Sequence, residues 1–246
     1  MRSRTFVVNG TRIRYLRGGS GFTKPAVVLL PGLGMTSDVY EHLGELLSER
    51  YLVIIPDLPG FGKSDKVNPV QFGKFAAILD GLLEHLRLSK VALVAHSMGG
   101  GIAIEMAQKY PERVDKVILV DSMGEVVDRG LIGWAIAATY KTLRSLSVKH
   151  LPAVARIVTS FTLNCLKRPL WMLQTFKLTT GTDLVEVLRT IKPKTYLVWA
   201  DRDEYFPSCQ RMASALNTQP TTIPKAGHDW IILEPVAAAE VIEQLL

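Results

Sequence analysis

The feature that most constrains the fold of this chain is a series of short, almost continuously apolar runs separated by helix-like segments. The runs occupy residues 26–30, 52–55, 91–95, 117–120 and 196–200. Strands buried on both faces have this composition, because helices cover both sides of a parallel sheet. The segments between the first four runs carry apolar residues at three- and four-residue spacing, which is typical of amphipathic helices. The alternation predicts an α/β fold with a mostly parallel, doubly wound sheet.

The alternation is interrupted once, after Asp121. Residues 122–193 contain no such run and have helical periodicity instead, with breaks at Pro152, Pro169 and Gly181. A loop of this length without secondary structure is uncommon in a compact domain. We therefore predict a first core part over 1–121, a helical cap insertion over 122–193 at the carboxyl edge of the sheet, and a second core part over 194–246.

The composition excludes several classes of protein. Of the 246 residues 48% are hydrophobic, and the net charge is +6. No apolar run reaches the roughly 20 residues of a membrane span, and the first ten residues lack the apolar stretch of a secretory signal, so we expect a cytoplasmic protein. Cys165 and Cys209 form neither a disulfide framework nor a metal-ligand pattern. We expect no metal, no cofactor and no nucleic-acid partner, and the sequence does not predict an oligomeric state.

The positive charge is concentrated in the predicted cap. Residues 122–192 contain ten Lys and Arg against four Asp and Glu. Such an asymmetry is compatible with an acidic substrate or an anionic surface, and both stay open. We interpret it as a solvated helical face, because the charges lack the clustering expected of nucleic-acid binding.

Ser97 lies where the run 91–95 passes into a glycine-rich helix start, in the sequence A-H-S-M-G. A serine at such a junction sits on a sharp turn with its hydroxyl exposed, provided that the residues two positions away are small. Here those residues are Ala95 and Gly99. A serine that merely caps the following helix is the alternative interpretation. The pattern favours a nucleophile, because the helix N-terminus also stabilises developing negative charge.

Four motifs resemble those of the α/β-hydrolase fold family, and specifically of its capped, esterase-like members. Residues 95–100 resemble the nucleophile elbow of that family, and residues 57–65 (DLPGFGKSD) resemble its D-x-x-G-x-G-x-S loop. Residues 197–207 are similar to the stretch that holds the acid, and residues 226–230 are similar to the histidine loop. The resemblance runs from about residue 5 to the end, apart from the predicted cap. It implies a serine hydrolase with a catalytic triad.

The order Ser97, Asp203, His228 is the order in which this fold presents nucleophile, acid and base. Asp203 follows a buried run and precedes Pro207, so it is expected at the same sheet edge as Ser97. There it could orient the imidazole of His228 and stabilise its protonated form. Asp121 is our second choice for the acid, because it ends the preceding run.

Two neighbours of the predicted triad rank below these as acids: Asp201 and Asp229. For the oxyanion hole we choose two backbone N–H groups. One belongs to Met98, directly after the nucleophile. The other belongs to Leu33, in the segment L-P-G-L-G after the first parallel run.

These observations predict a carboxylic ester hydrolase that acts on short to medium acyl esters through an acyl-enzyme. The same triad could instead cleave a carbon–carbon bond or a lactone, and neither fold nor triad decides between them. The predicted cap carries several large apolar residues: Trp134, Ile136, Phe161, Trp171, Met172 and Phe176. Of these we choose Trp134 and Trp171 as substrate-binding residues.

Two other classes of protein are remote alternatives. Gly32, Gly34 and Asp57 form part of a dinucleotide-binding fingerprint, in which Ser37 replaces the third glycine. That pattern would indicate an oxidoreductase, but it explains none of the serine, aspartate and histidine motifs. The other alternative is a binding protein that keeps the fold but carries out no reaction. A covalent serine probe would distinguish such a protein from a serine hydrolase.

Overall fold

The computed structural model describes residues 1–19, 25–126, 147–204 and 206–246. The strands are β1 (Arg2–Val8), β2 (Thr11–Gly18), β3 (Ala26–Leu30), β4 (Leu52–Pro56), β5 (Val91–His96), β6 (Val114–Val120), β7 (Lys194–Ala200) and β8 (Thr221–Ile223). The α-helices are α1 (Glu41–Ser48), α2 (Phe72–His85), α3 (Met98–Lys109), α4 (Leu151–Lys167), α5 (Pro169–Gly181), α6 (Val185–Leu188), α7 (Phe206–Leu216), α8 (Trp230–Leu233) and α9 (Pro235–Leu245). Short 3₁₀ helices cover Ser37–Tyr40, Pro111–Arg113 and Val148–His150.

The strands form one sheet in the order β1-β2-β4-β3-β5-β6-β7-β8. The first two pairings in that order are antiparallel, and all pairings from β4 to β8 are parallel. The prediction of a mostly parallel sheet is therefore confirmed. The chain order reverses between β3 and β5, and open α/β sheets bind ligands at the carboxyl ends of strands beside such a reversal.

The strand β3 shows why the apolar runs are continuous. Val28 and Leu30 belong to the apolar cluster that contains α2 and α3, whereas Val27 and Leu29 belong to the cluster that contains α1 and α9. Side chains alternate between the two faces of a strand, so both faces must be apolar when helices cover both. All five residues of β3 are buried.

Between β6 and β7 the described residues form helices α4, α5 and α6. Residues 127–146 of the predicted cap lie outside the described residues, and the three-part division of the chain stays a prediction. Polar side chains of α4 attach it to loops of the sheet. Ser160 accepts a hydrogen bond from the Thr36 N–H and donates one to the Gly34 carbonyl, both at 3.0 Å. Asn164 donates to the same carbonyl and accepts from the Gly62 N–H, also at 3.0 Å.

Among the helices that the structure describes, none combines the length and the apolar composition that crossing a bilayer would require.

Candidate active site

Ser97 occupies the turn between β5 and α3 in a backbone conformation that L-residues rarely adopt. Its φ is 53° and its ψ is −119°. Such strain, which tight surrounding packing must hold in place, clusters at functional sites. That packing requires a glycine two residues later, because a Cβ on Gly99 would lie 2.4 Å from the carbonyl oxygen of Leu30. The small residue predicted at position 99 therefore lets α3 lie directly on β3.

His228 lies between Ser97 and Asp203. Its Nε2 is 3.0 Å from the Ser97 Oγ, and its Nδ1 is 3.1 Å from an Asp203 carboxylate oxygen. A carboxylate only accepts hydrogen bonds, so Nδ1 carries the proton and Nε2 is left to accept the serine hydroxyl. Asp203 and His228 are 4% and 6% exposed, which keeps water away from this chain of contacts.

Two loops bring the acid and the histidine to the serine. Asp203 follows β7, and its N–H donates to the carbonyl of Ala200 at 3.1 Å. His228 lies in the loop between β8 and α8. The two loops are joined where the Arg202 N–H donates to the Ala226 carbonyl at 3.0 Å. Each residue thus follows a strand of the same sheet, as the sequence order predicts.

Asp121, our second choice for the acid, is 1% exposed and faces other partners. Its carboxylate oxygens accept hydrogen bonds from the Ala200 N–H at 2.8 Å and from the Trp230 indole N–H at 2.7 Å. Burial, and then the charge of Asp203, raise the pKa of Asp121 well above its ordinary value. Asp121 therefore holds the ends of the strands and the start of α8 together.

The other two carboxylates near the triad are placed differently. Asp201 is exposed, and Asp229 is buried at the wall of the cavity beside Ser97. Of the four aspartates considered, Asp203 lies at hydrogen-bond distance from Nδ1 of His228, as described above.

Gly32 and Leu33 line the cavity in the loop that follows β3. A Cβ added to Gly32 would lie 3.3 Å from the Ser97 Cβ, so this loop runs directly beside the serine. Met98 is the first residue of α3, and the first N–H groups of a helix have no acceptor within the helix. Both residues chosen for the oxyanion hole therefore adjoin Ser97 in the structure.

A cavity of about 410 Å³ opens in front of Ser97, within the roughly 300–1,000 Å³ of small-molecule sites. Its wall from the sheet side includes Leu33, Met35 and Met123, and its wall from the helical side includes Val154, Ile157, Val158, Phe161 and Phe176. Thr179 and Thr180 also line it, but each hydroxyl donates to a carbonyl of its own helix. These two threonines therefore contribute their methyl groups to the apolar wall.

Of the two tryptophans predicted to bind substrate, Trp134 lies outside the described residues, and Trp171 is not among the described residues that line this cavity. Trp171 is 3% exposed, stacks on Phe75 with ring centroids 6.3 Å apart, and covers Gly60. The expectation that Trp171 faces substrate is corrected, because an indole of that size fills the core beneath α5. Phe161 and Phe176, which the sequence groups with it, do line the cavity.

His96, His228 and Asp229 are the three residues of the described chain whose ligand atoms are close enough to hold a metal ion, within 4.8 Å of one another. Their chemistry does not fit a resident metal. Both ring nitrogens of His228 contact Asp203 and Ser97, and both nitrogens of His96 contact other protein groups. His96 is not among the site residues predicted from the sequence. A polar residue that ends a buried apolar strand was the available signal.

Comparisons with known proteins agree with this architecture. The sequence pattern that defines the α/β hydrolase fold matches residues 25–138. The enol-lactonase from Burkholderia xenovorans superposes with a TM-score of 0.84 over 98% of each chain, at 18% identity. The chain therefore has the α/β-hydrolase fold.

Two relatives show how far the sequence similarity extends. An uncharacterized protein of Mycobacterium bovis is 35% identical over 150 residues, which cover 60% of this chain and only 42% of that protein. The chain therefore spans less than half the length of that relative. A 2-hydroxy-6-oxo-6-phenylhexa-2,4-dienoate hydrolase of Burkholderia cepacia is 29% identical over 82% of this chain and 81% of its own length.

Proposed function

We propose that this α/β hydrolase is a serine carboxylic ester hydrolase that acts on short to medium, uncharged acyl groups. The observation that carries the proposal is the chain of contacts from Asp203 through His228 to Ser97, which opens onto an apolar cavity. Nucleophile and base at 3.0 Å, with the base oriented by a third group, are the arrangement that nucleophilic catalysis needs.

In the proposed reaction the Ser97 oxygen attacks the acyl carbon while His228 Nε2 takes the hydroxyl proton. Asp203 keeps the Nδ1–H tautomer and stabilises the imidazolium. The N–H groups of Leu33 and Met98 donate to the oxyanion. The carbon–oxygen bond then breaks, and His228 gives its proton to the leaving alcohol. A water molecule then attacks the acyl carbon while His228 takes one of its protons. The bond between the acyl carbon and the Ser97 oxygen breaks, His228 returns the proton to that oxygen, and the acid leaves.

The charges around the cavity support a neutral substrate. The charged residues that line it, in the part of the chain that the structure describes, include the carboxylates Glu125 and Glu204 and neither Lys nor Arg. Arg211 is directed to Glu125, at 2.6 Å, rather than into the cavity. Among the described lining residues, a substrate carboxylate would meet like charges and would find no guanidinium or ammonium to pair with.

A second candidate, carbon–carbon bond hydrolysis, is favoured by the Burkholderia cepacia relative, whose alignment covers four fifths of both chains. The substrate in that relative's name is a dienoate, which carries a carboxylate. The acidic lining argues against such a substrate here. A lactone is a cyclic ester, so the proposed mechanism applies to lactones without change.

The deciding experiment is a substrate panel on the purified chain. It compares p-nitrophenyl esters from acetate to laurate with a neutral lactone and a 6-oxo-dienoate. We expect ester turnover with an optimum at short to medium acyl length, because each methylene improves binding by about 0.8 kcal/mol until the cavity is full. Turnover of the dienoate in the absence of ester turnover would replace the proposal by its second candidate.

Ser97→Ala is the matched control for that panel. It should lower turnover by up to about a millionfold and abolish labelling by a fluorophosphonate, while the circular dichroism spectrum stays unchanged. A variant that kept substantial esterase activity would refute the mechanism as a whole.

A further inference from the structure

A chain of hydrogen bonds behind Ser97 joins the two loops that flank it. His96 is 1% exposed, and its two ring nitrogens contact different partners. Nδ1 lies 2.7 Å from the hydroxyl oxygen of Tyr40, and Nε2 lies 3.0 Å from the carbonyl oxygen of His228. The Tyr40 oxygen in turn lies 3.0 Å from the backbone nitrogen of Gly32. The proposed reaction makes no use of either buried side chain.

The partners determine the direction of every bond in this chain. A carbonyl oxygen only accepts, so Nε2 of His96 is the nitrogen that carries the proton. Nδ1 of a neutral ring must then accept, and the Tyr40 hydroxyl donates to it. The Tyr40 oxygen accepts from the Gly32 N–H. Burial raises the pKa of Tyr40 far above its ordinary value, so the hydroxyl keeps the proton that this arrangement needs.

The two ends of this chain of hydrogen bonds lie at two groups that take part in the proposed reaction, the oxyanion donor and the base. Gly32 directly precedes Leu33, whose N–H is the proposed oxyanion donor, and it packs against Ser97. The carbonyl at the other end belongs to His228, the proposed base. The middle of the chain is His96, which is covalently joined to Ser97. Oxyanion loop, nucleophile and base are thus held to one another through two side chains.

We propose that Tyr40 and His96 are positioning residues, which set the Leu33 N–H and the His228 ring around Ser97 at the same time. The inference rests on the serine hydrolase mechanism proposed above. Catalytic groups must be held to within about 0.5 Å of the productive geometry, and hydrogen bonds from supporting residues hold them there. A misplacement of roughly 1 Å costs on the order of a hundredfold in rate.

The principal test replaces Tyr40 with phenylalanine. Tyr40→Phe keeps the ring but leaves the Gly32 N–H without its acceptor and Nδ1 of His96 without its donor. We expect kcat to fall by about 10- to 100-fold while KM changes by less than about threefold. Tyr15→Phe is the matched control, because Tyr15 is also buried but lies on β2, outside the catalytic machinery. It should leave kcat unchanged.

A second measurement separates positioning from a purely structural role. A boronic acid that forms a tetrahedral adduct on Ser97 reports on the oxyanion site, and its affinity should fall in parallel with kcat/KM in Tyr40→Phe. A purely structural role of Tyr40 would lower the melting temperature of Tyr40→Phe without this parallel change in affinity and kcat/KM.

His96→Gln tests whether the chain acts as a unit. Glutamine places its amide nitrogen at about the position of Nε2, so it can still donate to the His228 carbonyl, but it has no acceptor atom at the Nδ1 position that the Tyr40 hydroxyl contacts. The double variant with Tyr40→Phe should therefore lose no more activity than the more damaged single variant, because both break the same link. Multiplying losses would show two independent contacts and overturn the inference.

Failure of this inference is distinguishable from failure of the proposed function. If Tyr40→Phe matches Tyr15→Phe in kcat while Ser97→Ala is inactive, the mechanism stands and the positioning role is overturned. If Ser97→Ala is active, the proposed function fails whatever the tyrosine variants do.

Discussion

The two sides of the cavity are built on different principles. On the sheet side, Ser97 and His228 are held by a strained turn, a strand end and directed hydrogen bonds to buried partners. On the helical side, α4 and α5 line the cavity with apolar side chains, and they also expose apolar side chains to solvent. Leu166 and Leu170, at the junction of these two helices, are 74% and 75% exposed.

This difference separates the placement of chemistry from the choice of substrate. Hydrogen bonds and backbone geometry fix atoms to a fraction of an ångström, which attack on a carbonyl requires. Apolar packing tolerates changes in size and shape, so a wall made of such side chains can vary without disturbing the reacting groups. Variants on the sheet side should therefore alter the rate, and variants on the helical side should alter the preferred chain length.

The largest contrast is expected between two aspartates on the sheet side. Asp203→Asn should lower kcat by about 10⁴-fold, because the amide can donate to Nδ1 and favour the wrong imidazole tautomer. Asp121→Asn should cost much less in kcat, since Asp121 contacts Ala200 and Trp230 and is not the partner of His228 in this structure. Steady-state kinetics on a p-nitrophenyl ester measure both.

If Asp121→Asn lowered kcat more than Asp203→Asn, the result would show that Asp203 is the wrong choice for the catalytic acid. Thermal unfolding of both variants provides the control, because each replaces a buried acid by an amide. Both variants must stay folded at the assay temperature for the difference in kcat to report on catalysis.

A smaller effect is expected where the two sides meet. Ser160→Ala leaves the Thr36 N–H without its acceptor and weakens the hold of α4 on the loop that carries Leu33. An unpaired buried group costs about 1–3 kcal/mol in stability, and we expect a fall in kcat of roughly tenfold as the loop loosens. Thr175→Val is the matched control, because the Thr175 hydroxyl bonds only carbonyls of its own helix.

An equal fall in kcat in Ser160→Ala and Thr175→Val would contradict the distinction between the two sides. The helical side would then act on the rate through its overall stability rather than through the contact between Ser160 and the loop.

The smallest effects on rate, and the largest on selectivity, are expected within α5. Phe176→Ala enlarges the cavity, so the optimum should move to longer acyl chains, by about fourfold in kcat/KM for each further methylene accommodated. Trp171→Phe should lower the melting temperature and leave the optimum in place, because Trp171 fills the core. A shift of the optimum in the tryptophan variant alone would reverse this assignment.

The sequence by itself determined the parts of the protein that depend on short-range pattern. The apolar run at 26–30 became β3 without a change of boundary, because a strand buried on both faces has no polar position. Ser97 and the small residue at position 99 predicted a tight turn, which the φ of Ser97 confirms. The chain order placed Asp203 and His228 at the strand edge where the structure brings them to Ser97.

Only the tertiary structure decided which side chains meet across long distances in the sequence. Periodicity gives Trp171 and Phe176 the same apolar character, yet packing against Phe75 buries the first and leaves the second on the cavity wall. The contact of His96 with Tyr40 spans 56 positions, and its contact with His228 spans 132. No local pattern encodes such a pairing, because it arises from how the sheet and the loops at its edge pack together.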